Sequence, residues 1–155
     1  MSEPFTIKTD DPGRPEVAAL IQQHLRIMAH HSPPESCHAF NVSELSAPDV
    51  TFWSVSRGEE LAGFGALKQL DPTHGEIKSM RTVETQLRKG VASLLLKHMI
   101  AEARSRKYVR LSLETGSADA YGAARNLYSR FGFEACGPFA SYALDPHSLF
   151  MTRKL

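Results

Sequence analysis

The stretch from residue 76 to residue 115 constrains the fold of this chain most strongly. Its centre has apolar residues spaced i, i+3, i+4, i+7, i+8 and i+11, which is one wide helical face: Ala92, Leu95, Leu96, Met99, Ile100 and Ala103. Apolar and polar residues alternate before and after it, at 76–80 and 108–115, and predict a strand on each side. Two strands joined through a helix form a right-handed parallel crossover by default. The sequence therefore predicts two parallel strands in one sheet with a helix packed across them.

The start of this helix is a basic turn that contains glycine, residues 86–93. The N–H groups of a first helical turn have no partner within the helix, and the helix dipole adds partial positive charge there. Small side chains at Gly90 and Ala92 let a bulky pyrophosphate approach these amides, and Arg88 and Lys89 add full charges. The turn is therefore predicted to bind an anion of the phosphate type.

The remaining segments predict hairpins and two further helices. Before the crossover, the patterns predict a strand at 5–8, a helix to about residue 28, an irregular loop at 30–38 and a hairpin of strands 51–55 and 61–67. After it, a second amphipathic helix is predicted to end at Gly132, whose missing side chain suits a left-handed cap. A last strand is predicted at 148–152.

Length and composition predict one domain over residues 1–155, since 42% hydrophobic residues suffice for a single core. The net charge of +1 leaves no global field that would bind nucleic acid or an anionic membrane. Cys37 and Cys136 form no CxxC or metal spacing, which fits reduced thiols. No apolar run approaches the roughly 20 residues of a membrane span, and the first residues do not form a signal peptide. We therefore expect a cytoplasmic location.

Two motifs in this strand and helix context resemble the GCN5-related N-acetyltransferase (GNAT) family. The loop Leu87–Ala92 is similar to the family's (Gln or Arg)-x-x-Gly-x-(Gly or Ala) loop, which holds the CoA pyrophosphate. The segment Ala124–Phe133 is similar to its A-x-x-Leu-Tyr-x-x-x-Gly-Phe helix end. The resemblance implies an α/β (α+β) fold: a mixed, mostly antiparallel twisted sheet flanked by helices, with a central parallel strand pair splayed to hold acetyl-CoA.

A narrower likeness links three segments to a bacterial subgroup of small-molecule acetyltransferases: Gly75–Thr82, Leu113–Gly116 and Tyr142–Met151. Two positions depart from the family pattern. Leu87 stands where Gln or Arg is usual, so a side-chain contact from that position is missing. Tyr121 stands where the family often has Asn, which puts the usual CoA contact from that position in doubt.

The resemblance implies direct transfer of acetyl from acetyl-CoA to the amine of a small molecule, such as an amino acid or a related metabolite. Tyr128 matches the family's tyrosine and is predicted to protonate the leaving thiolate. Glu76 begins the strand that leads to the CoA loop, where the family often has a catalytic carboxylate, and is predicted to be the general base. Glu114, at the end of the next strand, is the reserve candidate.

The predicted cofactor contacts use mostly the backbone. Amides of Met80 and Thr82 are expected to pair with pantetheine as a short extension of the sheet. The phosphates of acetyl-CoA are expected to bind at the helix start, through Arg88, Lys89, Gly90, Val91, Ala92 and Ser93.

The histidine-rich loop supplies candidates for the acceptor pocket: His31, Ser32 and Glu35, with Glu114 from the strand. Its histidines and Cys37 match no standard zinc spacing, so we expect no metal. A non-catalytic acyl-CoA sensor or partner-binding module is the alternative function. A mononucleotide-binding domain is a third reading, disfavoured because GxxxxGK(S/T) is missing. Homodimers are common in the family, and no secure marker for one stands in this sequence.

Overall fold

The computed structural model describes residues 4–38 and 40–155. The strands are β1 (Thr6–Thr9), β2 (Val50–Arg57), β3 (Glu60–Asp71), β4 (His74–Thr82), β5 (Arg110–Gly116), β6 (Glu134–Cys136) and β7 (Ser148–Lys154). The helices are α1 (Pro15–His31), α2 (Val42–Leu45), α3 (Val91–Ser105) and α4 (Gly122–Arg130). In the described part of the chain, no helix is long and apolar enough to cross a membrane.

The seven strands form one sheet in the order β1-β2-β3-β4-β5-β7-β6. Every neighbouring pair is antiparallel except β4 and β5, which are parallel and joined through α3. The predicted mixed, mostly antiparallel sheet with a central parallel pair is therefore confirmed. β6 was not predicted from the sequence, and it pairs with β7 alone at one edge of the sheet.

The parallel strands pair only over part of their length. Residues 74–77 of β4 pair with residues 110–113 of β5, but β4 continues to Thr82 and β5 to Gly116. Over these last residues β4 stays paired with β3, and β5 stays paired with β7. The two halves of the sheet therefore part beyond Ile77, and a cleft opens between them.

A β-bulge in β4 lies where the strands separate. Between the pairs Phe64–Arg81 and Ala66–Lys78, β4 has two residues opposite Gly65 of β3. One of them, Ser79, has a φ of 54°, in the left-handed region that non-glycine residues rarely adopt. A bulge bends its strand and redirects the side chains around it. Beyond it, no strand among the described residues pairs with the edge of β4 that faces β5.

The sheet has a core on each face. On one face, α3 buries Val91, Leu95, Leu96, Met99, Ile100 and Ala103. The predicted stripe is therefore confirmed except at Ala92. Ala92 is half-buried, and Val91 is buried in its place. On the other face, α1 and α2 pack on Phe52 and Phe64. Strand side chains alternate between the faces. Glu76, Lys78 and Glu114 alternate with core residues of the α3 face and therefore point to the α1 side.

The first helix is longer than its apolar stripe indicates. It continues three residues beyond the predicted end, so His30 and His31 form its last turn instead of the start of a loop. Pro33 and Pro34 then stop it, because neither can donate a backbone hydrogen bond. Cationic groups are favoured near the negative end of a helix dipole, which is consistent with histidines at this end. The helix therefore brings His31 to the mouth of the cleft.

Candidate active site

The cleft between the parted strands has a volume of about 240 Å3. Residues 77–81 of β4 line one side, and Glu114, Thr115 and Gly116 of β5 line the other. α1 and α4 contribute the remaining walls, including His24, His31 and Tyr128. The cleft therefore brings together Met80, Glu114, Tyr128 and His31, four of the residues that the sequence pointed to. Thr82 lies at the end of β4, half-buried and just outside the lining.

Tyr128 is buried, with only 7% of the residue exposed, and its ring packs against Phe133 at 5.9 Å between centroids. Gly132, at φ 86°, turns the chain back after α4 and so brings Phe133 to this position. Burial, with a smaller contribution from Glu114, raises the pKa of Tyr128 to about 12. The phenol is therefore protonated at neutral pH, and its O–H can be donated to a group in the cleft.

The basic turn before α3 is exposed and has the backbone geometry of an anion site. Gly90 precedes the helix with a φ of 85°, and a Cβ placed there would meet no atom within 4 Å. The first bond of this helix runs from Leu94 N–H to the Gly90 carbonyl, at 3.0 Å. The amides of residues 91–93 therefore have no acceptor within the helix. Glycine serves twice here, because it adopts the left-handed conformation and leaves the amides open.

The side chains of this turn contribute differently. Lys89 donates to Gln86 at 3.3 Å, and buried Gln86 in turn donates to Glu60 at 3.0 Å. Arg88 is exposed and adopts a φ of 64°. Leu87 is 51% exposed, so it offers no polar group to an anion. The turn therefore presents open backbone amides together with the positive charges of Arg88 and Lys89.

Glu76 lies in a buried polar cluster that it forms with Lys78 and Tyr142, called here the Lys78 cluster. The Tyr142 O–H donates to Glu76 Oε2 at 2.5 Å, and Lys78 Nζ lies 3.5 Å from the same oxygen. Lys78 Nζ also donates to Tyr142 Oη at 2.8 Å and to the His38 carbonyl at 3.0 Å. Burial lowers the pKa of Lys78 and, together with Glu76, raises that of Tyr142.

A second cavity, of about 300 Å3, adjoins the cleft and is called here the polar cavity. The Lys78 cluster forms one wall, and Phe40, Glu44 and Lys68 form another. His38 and Lys78 line both cavities, so the two meet at these residues. The segments around the polar cavity are held together by a hydrogen bond of 2.5 Å from Ser36 to Asp145.

Comparison with known proteins identifies the kind of site. A model of the acetyltransferase (GNAT) family matches residues 17–133. This chain belongs to the GNAT acetyltransferase family. The acetyltransferase is 56% identical over 149 residues to the uncharacterized N-acetyltransferase YsnE of Bacillus subtilis, covering 96% of this chain and 99% of that protein. It is 55% identical over 151 residues to the uncharacterized N-acetyltransferase YedL of Escherichia coli, covering 97% and 95%.

Solved structures agree with this assignment. A crystal structure from Klebsiella pneumoniae, assigned as an acyl-CoA N-acyltransferase, is 29% identical with a TM-score of 0.79, and the match covers 97% of both chains. Solved chains with this fold include complexes with acetyl-CoA and with CoA. Membership of the acetyltransferase (GNAT) family makes the protein an acyltransferase with acetyl-CoA as its acyl donor. The family prediction made from the two motifs is confirmed.

The two carboxylates considered as the base of this acetyltransferase have different surroundings. Glu114 lines the cleft together with Tyr128, and burial raises its pKa. Glu76 lines only the polar cavity, and one of its oxygens is engaged by Tyr142 and Lys78. Lys78 stands between them on the same face of the sheet. The sequence prediction chose Glu76, and the geometry makes Glu114 an equal candidate.

Of the residues predicted for the acceptor pocket, Glu114 and His31 line the cleft. The His31 ring lies edge-on to Tyr121 at 6.0 Å between centroids, and Tyr121 itself covers Gly116. Ser32 is buried at the end of α1, and its amide caps the helix at Met28. Glu35 is exposed on a short 3-10 helix, and neither it nor Ser32 lines a cavity.

Several cavity residues of the acetyltransferase were not found from the sequence, among them Lys78, Tyr142 and His24. Lys78 could have been found, because it alternates with Ile77 and so shares a face with Glu76. Tyr142 lies in an irregular segment 66 positions from Glu76, where no local pattern points to the contact. Burial, with Arg81, lowers the pKa of His24 to about 4, and its Nδ1 has no hydrogen-bond partner among the described residues.

Within residues 4–38 and 40–155, no group of three or more His, Cys, Asp or Glu is arranged to hold a metal ion.

Proposed function

We propose that this protein transfers an acetyl group directly from acetyl-CoA to the amine of a small molecule. The observation that carries the proposal is that two cavities share Lys78 in their linings. One of them is lined by Tyr128, and the other is lined by charged side chains. An acyl group in the cleft and an acceptor in the polar cavity would meet at this junction. The polar cavity has a volume of about 300 Å3, and the hydrogen bond from Ser36 to Asp145 joins the segments around it. Both features favour a metabolite over a polypeptide chain as the acceptor.

Acetyl transfer requires a neutral amine and a stabilised thiolate. The amine nitrogen forms a bond to the thioester carbon, the bond from that carbon to sulfur breaks, and the amine loses a proton. We propose that a carboxylate takes this proton, directly or through water, and that the Tyr128 phenol gives one to the CoA sulfur. Positioning two substrates in adjoining cavities supplies much of the rate, because it makes their reaction effectively unimolecular.

Either carboxylate beside Lys78 fits the role of base. Glu76 faces the cavity from which an acceptor would arrive, which supports the role predicted from the sequence. Glu114 faces the cleft, and its pKa, raised by burial, makes it a better proton acceptor near neutral pH. Comparing Glu76→Gln with Glu114→Gln separates them. The base is the residue whose change lowers kcat by about 100-fold or more while the KM for acetyl-CoA stays near wild type.

We further propose the contacts that hold acetyl-CoA. The free edge of β4 beyond Ile77 supports pairing of pantetheine with the backbone of Met80 and Thr82. The open amides of Val91, Ala92 and Ser93, with Arg88, Lys89 and Gly90, support binding of the pyrophosphate at the start of α3. These contacts depend on backbone position, so they tolerate leucine at position 87.

The test is to follow release of the CoA thiol in the presence of acetyl-CoA and a panel of amines, amino acids and peptide N-termini. We expect turnover with a small amine, an N-acetyl product by mass spectrometry, and intersecting initial-rate lines that indicate a ternary complex. Tight binding of acetyl-CoA without turnover on any acceptor would instead support the sensor alternative. Cys37→Ala and Cys136→Ala are each expected to retain turnover, since neither cysteine lines the cleft, although Cys37 lines the polar cavity and its change can raise the KM of the acceptor. An acetyl-cysteine intermediate would contradict direct transfer.

The proposal includes a cytoplasmic location, supported by Cys37 and Cys136 being free thiols. A homodimer is also proposed, on the frequency of dimers in this family. Light scattering of the purified protein at two concentrations tests this, and a mass near 17.2 kDa would refute it.

A further inference from the structure

The two lysines of the polar cavity share one aromatic ring. Lys78 Nζ lies 4.1 Å from the centroid of the Phe40 ring, and Lys68 Nζ lies 5.2 Å from it. The two ammonium groups are therefore less than about 10 Å apart. The aromatic face attracts each cation, but it does not remove their mutual repulsion. A negative charge placed between the two ammonium groups would offset this repulsion.

The acidic side chains of the cavity are already engaged. Glu76 accepts the Tyr142 O–H and balances the charge of Lys78 within the Lys78 cluster. Glu44 Oε1 accepts the Asn41 amide at 3.1 Å, as part of the capping box at the start of α2. Lys68 has no ion pair within 4 Å among the described residues, and it is half-buried. Lys68 is thus the lysine of the cavity that has no carboxylate within ion-pair distance among the described residues.

We propose that the acceptor of this enzyme carries a carboxylate as well as its amine, and that Lys68, assisted by Lys78, binds the carboxylate in the polar cavity. The amine then points to His38 and Lys78, the two residues that line both the polar cavity and the cleft. This inference rests on the proposed function, because it names the acceptor class for the same reaction.

The charge balance favours a carboxylate over a phosphate. The lining contains two lysines and two glutamates, so a ligand with a single negative charge, held by Lys68, disturbs this balance least. A phosphate monoester carries about two negative charges at neutral pH. The second charge would face Glu76 and Glu44 without a cation. The rings of Phe40 and Tyr142 supply apolar walls for the carbon chain that joins the carboxylate to the amine.

The first test compares matched acceptors on the wild-type protein. Each pair is an amino acid and the amine obtained by removing its carboxyl group, such as β-alanine and ethylamine or phenylalanine and phenethylamine. We expect at least one amino acid to exceed its amine by about tenfold or more in kcat/KM, the usual size of a charge-assisted contact. Turnover of amines with no preference for the carboxylate would overturn the inference and leave the proposed function standing. No turnover of any acceptor would overturn both.

The second test changes Lys68. Lys68→Met removes the charge but keeps an unbranched apolar chain, and it is expected to lower the preference for the carboxylated acceptor about tenfold. Lys68→Arg retains the charge and is expected to keep more of the preference than Lys68→Met. Lys8→Met, on an exposed position of β1, is the matched control for loss of one positive charge. The inference is overturned if Lys68→Met keeps the wild-type ratio, if Lys8→Met lowers it equally, or if the arginine variant loses more than the methionine variant.

Discussion

Buried His24 is expected to lower the stability of this acetyltransferase as the pH falls from about 6.5 to about 4. The residue is 7% exposed on α1, and its ring lies edge-on to Phe64 at 5.8 Å between centroids. Burial, with Arg81, lowers its pKa from 6.5 to about 4. The unfolded chain therefore binds a proton at this residue between pH 6.5 and about 4, while the folded chain does not. A state that binds more protons gains as the pH falls, so the folded state loses stability through this window.

The size of the effect follows from the two pKa values. With pKa values of 6.5 unfolded and about 4 folded, the contribution falls by about 2 kcal/mol between pH 7 and pH 5. It falls by about 3 kcal/mol by pH 4. Glu114 acts in the opposite direction, because its raised pKa makes the folded state bind a proton more readily there. The pH dependence of the whole protein therefore mixes both groups, and a variant is needed to isolate His24.

The assay is urea unfolding at several pH values between 7 and 4.5, on wild type and on His24→Met. Methionine keeps an apolar chain against Phe64 but cannot titrate. The quantity to follow is the free energy of unfolding of the variant minus that of wild type. We expect this difference to rise by about 2 kcal/mol between pH 7 and pH 5, because only wild type loses the contribution of His24. His147→Gln, at an exposed position, is the control. A constant difference between wild type and His24→Met across this range would refute the assignment of the neutral buried form to His24.

Further substitutions test the cleft, the Lys78 cluster and the helix start. Tyr128→Phe should lower kcat by about 100-fold or more with the KM for acetyl-CoA little changed, because only the donated proton is lost; wild-type kcat would exclude the acid role. Lys78→Met should lower the free energy of unfolding by about 3 to 5 kcal/mol, because it leaves the buried carboxylate of Glu76 without its cation. Adding Glu76→Gln to this variant should recover part of the loss. If the effects of the two changes on urea unfolding simply add, this coupling is contradicted. Gly90→Ala should cost about 1 to 2 kcal/mol of stability through the left-handed backbone. Gly90→Glu should also bind CoA at least about tenfold more weakly than Gly90→Ala by calorimetry, through charge repulsion; equal affinities would count against a phosphate at this turn.

Much of the fold was predictable because its signals are local. The period of apolar residues predicted α3, and the alternation on either side predicted β4 and β5. Gly132 was predicted to suit a left-handed cap at a helix end and adopts a φ of 86°. Gly90 was predicted for its small side chain, and its left-handed φ of 85° was not foreseen. The two motifs then identified the family, because their order and spacing along the chain are themselves properties of the sequence.

Only the tertiary structure decided the form of the candidate site. The family resemblance implied that β4 and β5 splay apart, but not where. They part beyond Ile77, next to the bulge at Ser79 opposite Gly65, and alternation of residue types does not reveal an added residue in one strand. Glu76 meets Tyr142, and Ser36 meets Asp145, across 66 and 109 positions of chain. Side-chain periodicity reports which face of its own element a residue occupies. Which distant segment covers that face is decided by the packing of the whole sheet, so the polar cavity with Lys68 in its wall forms only when the chain is folded.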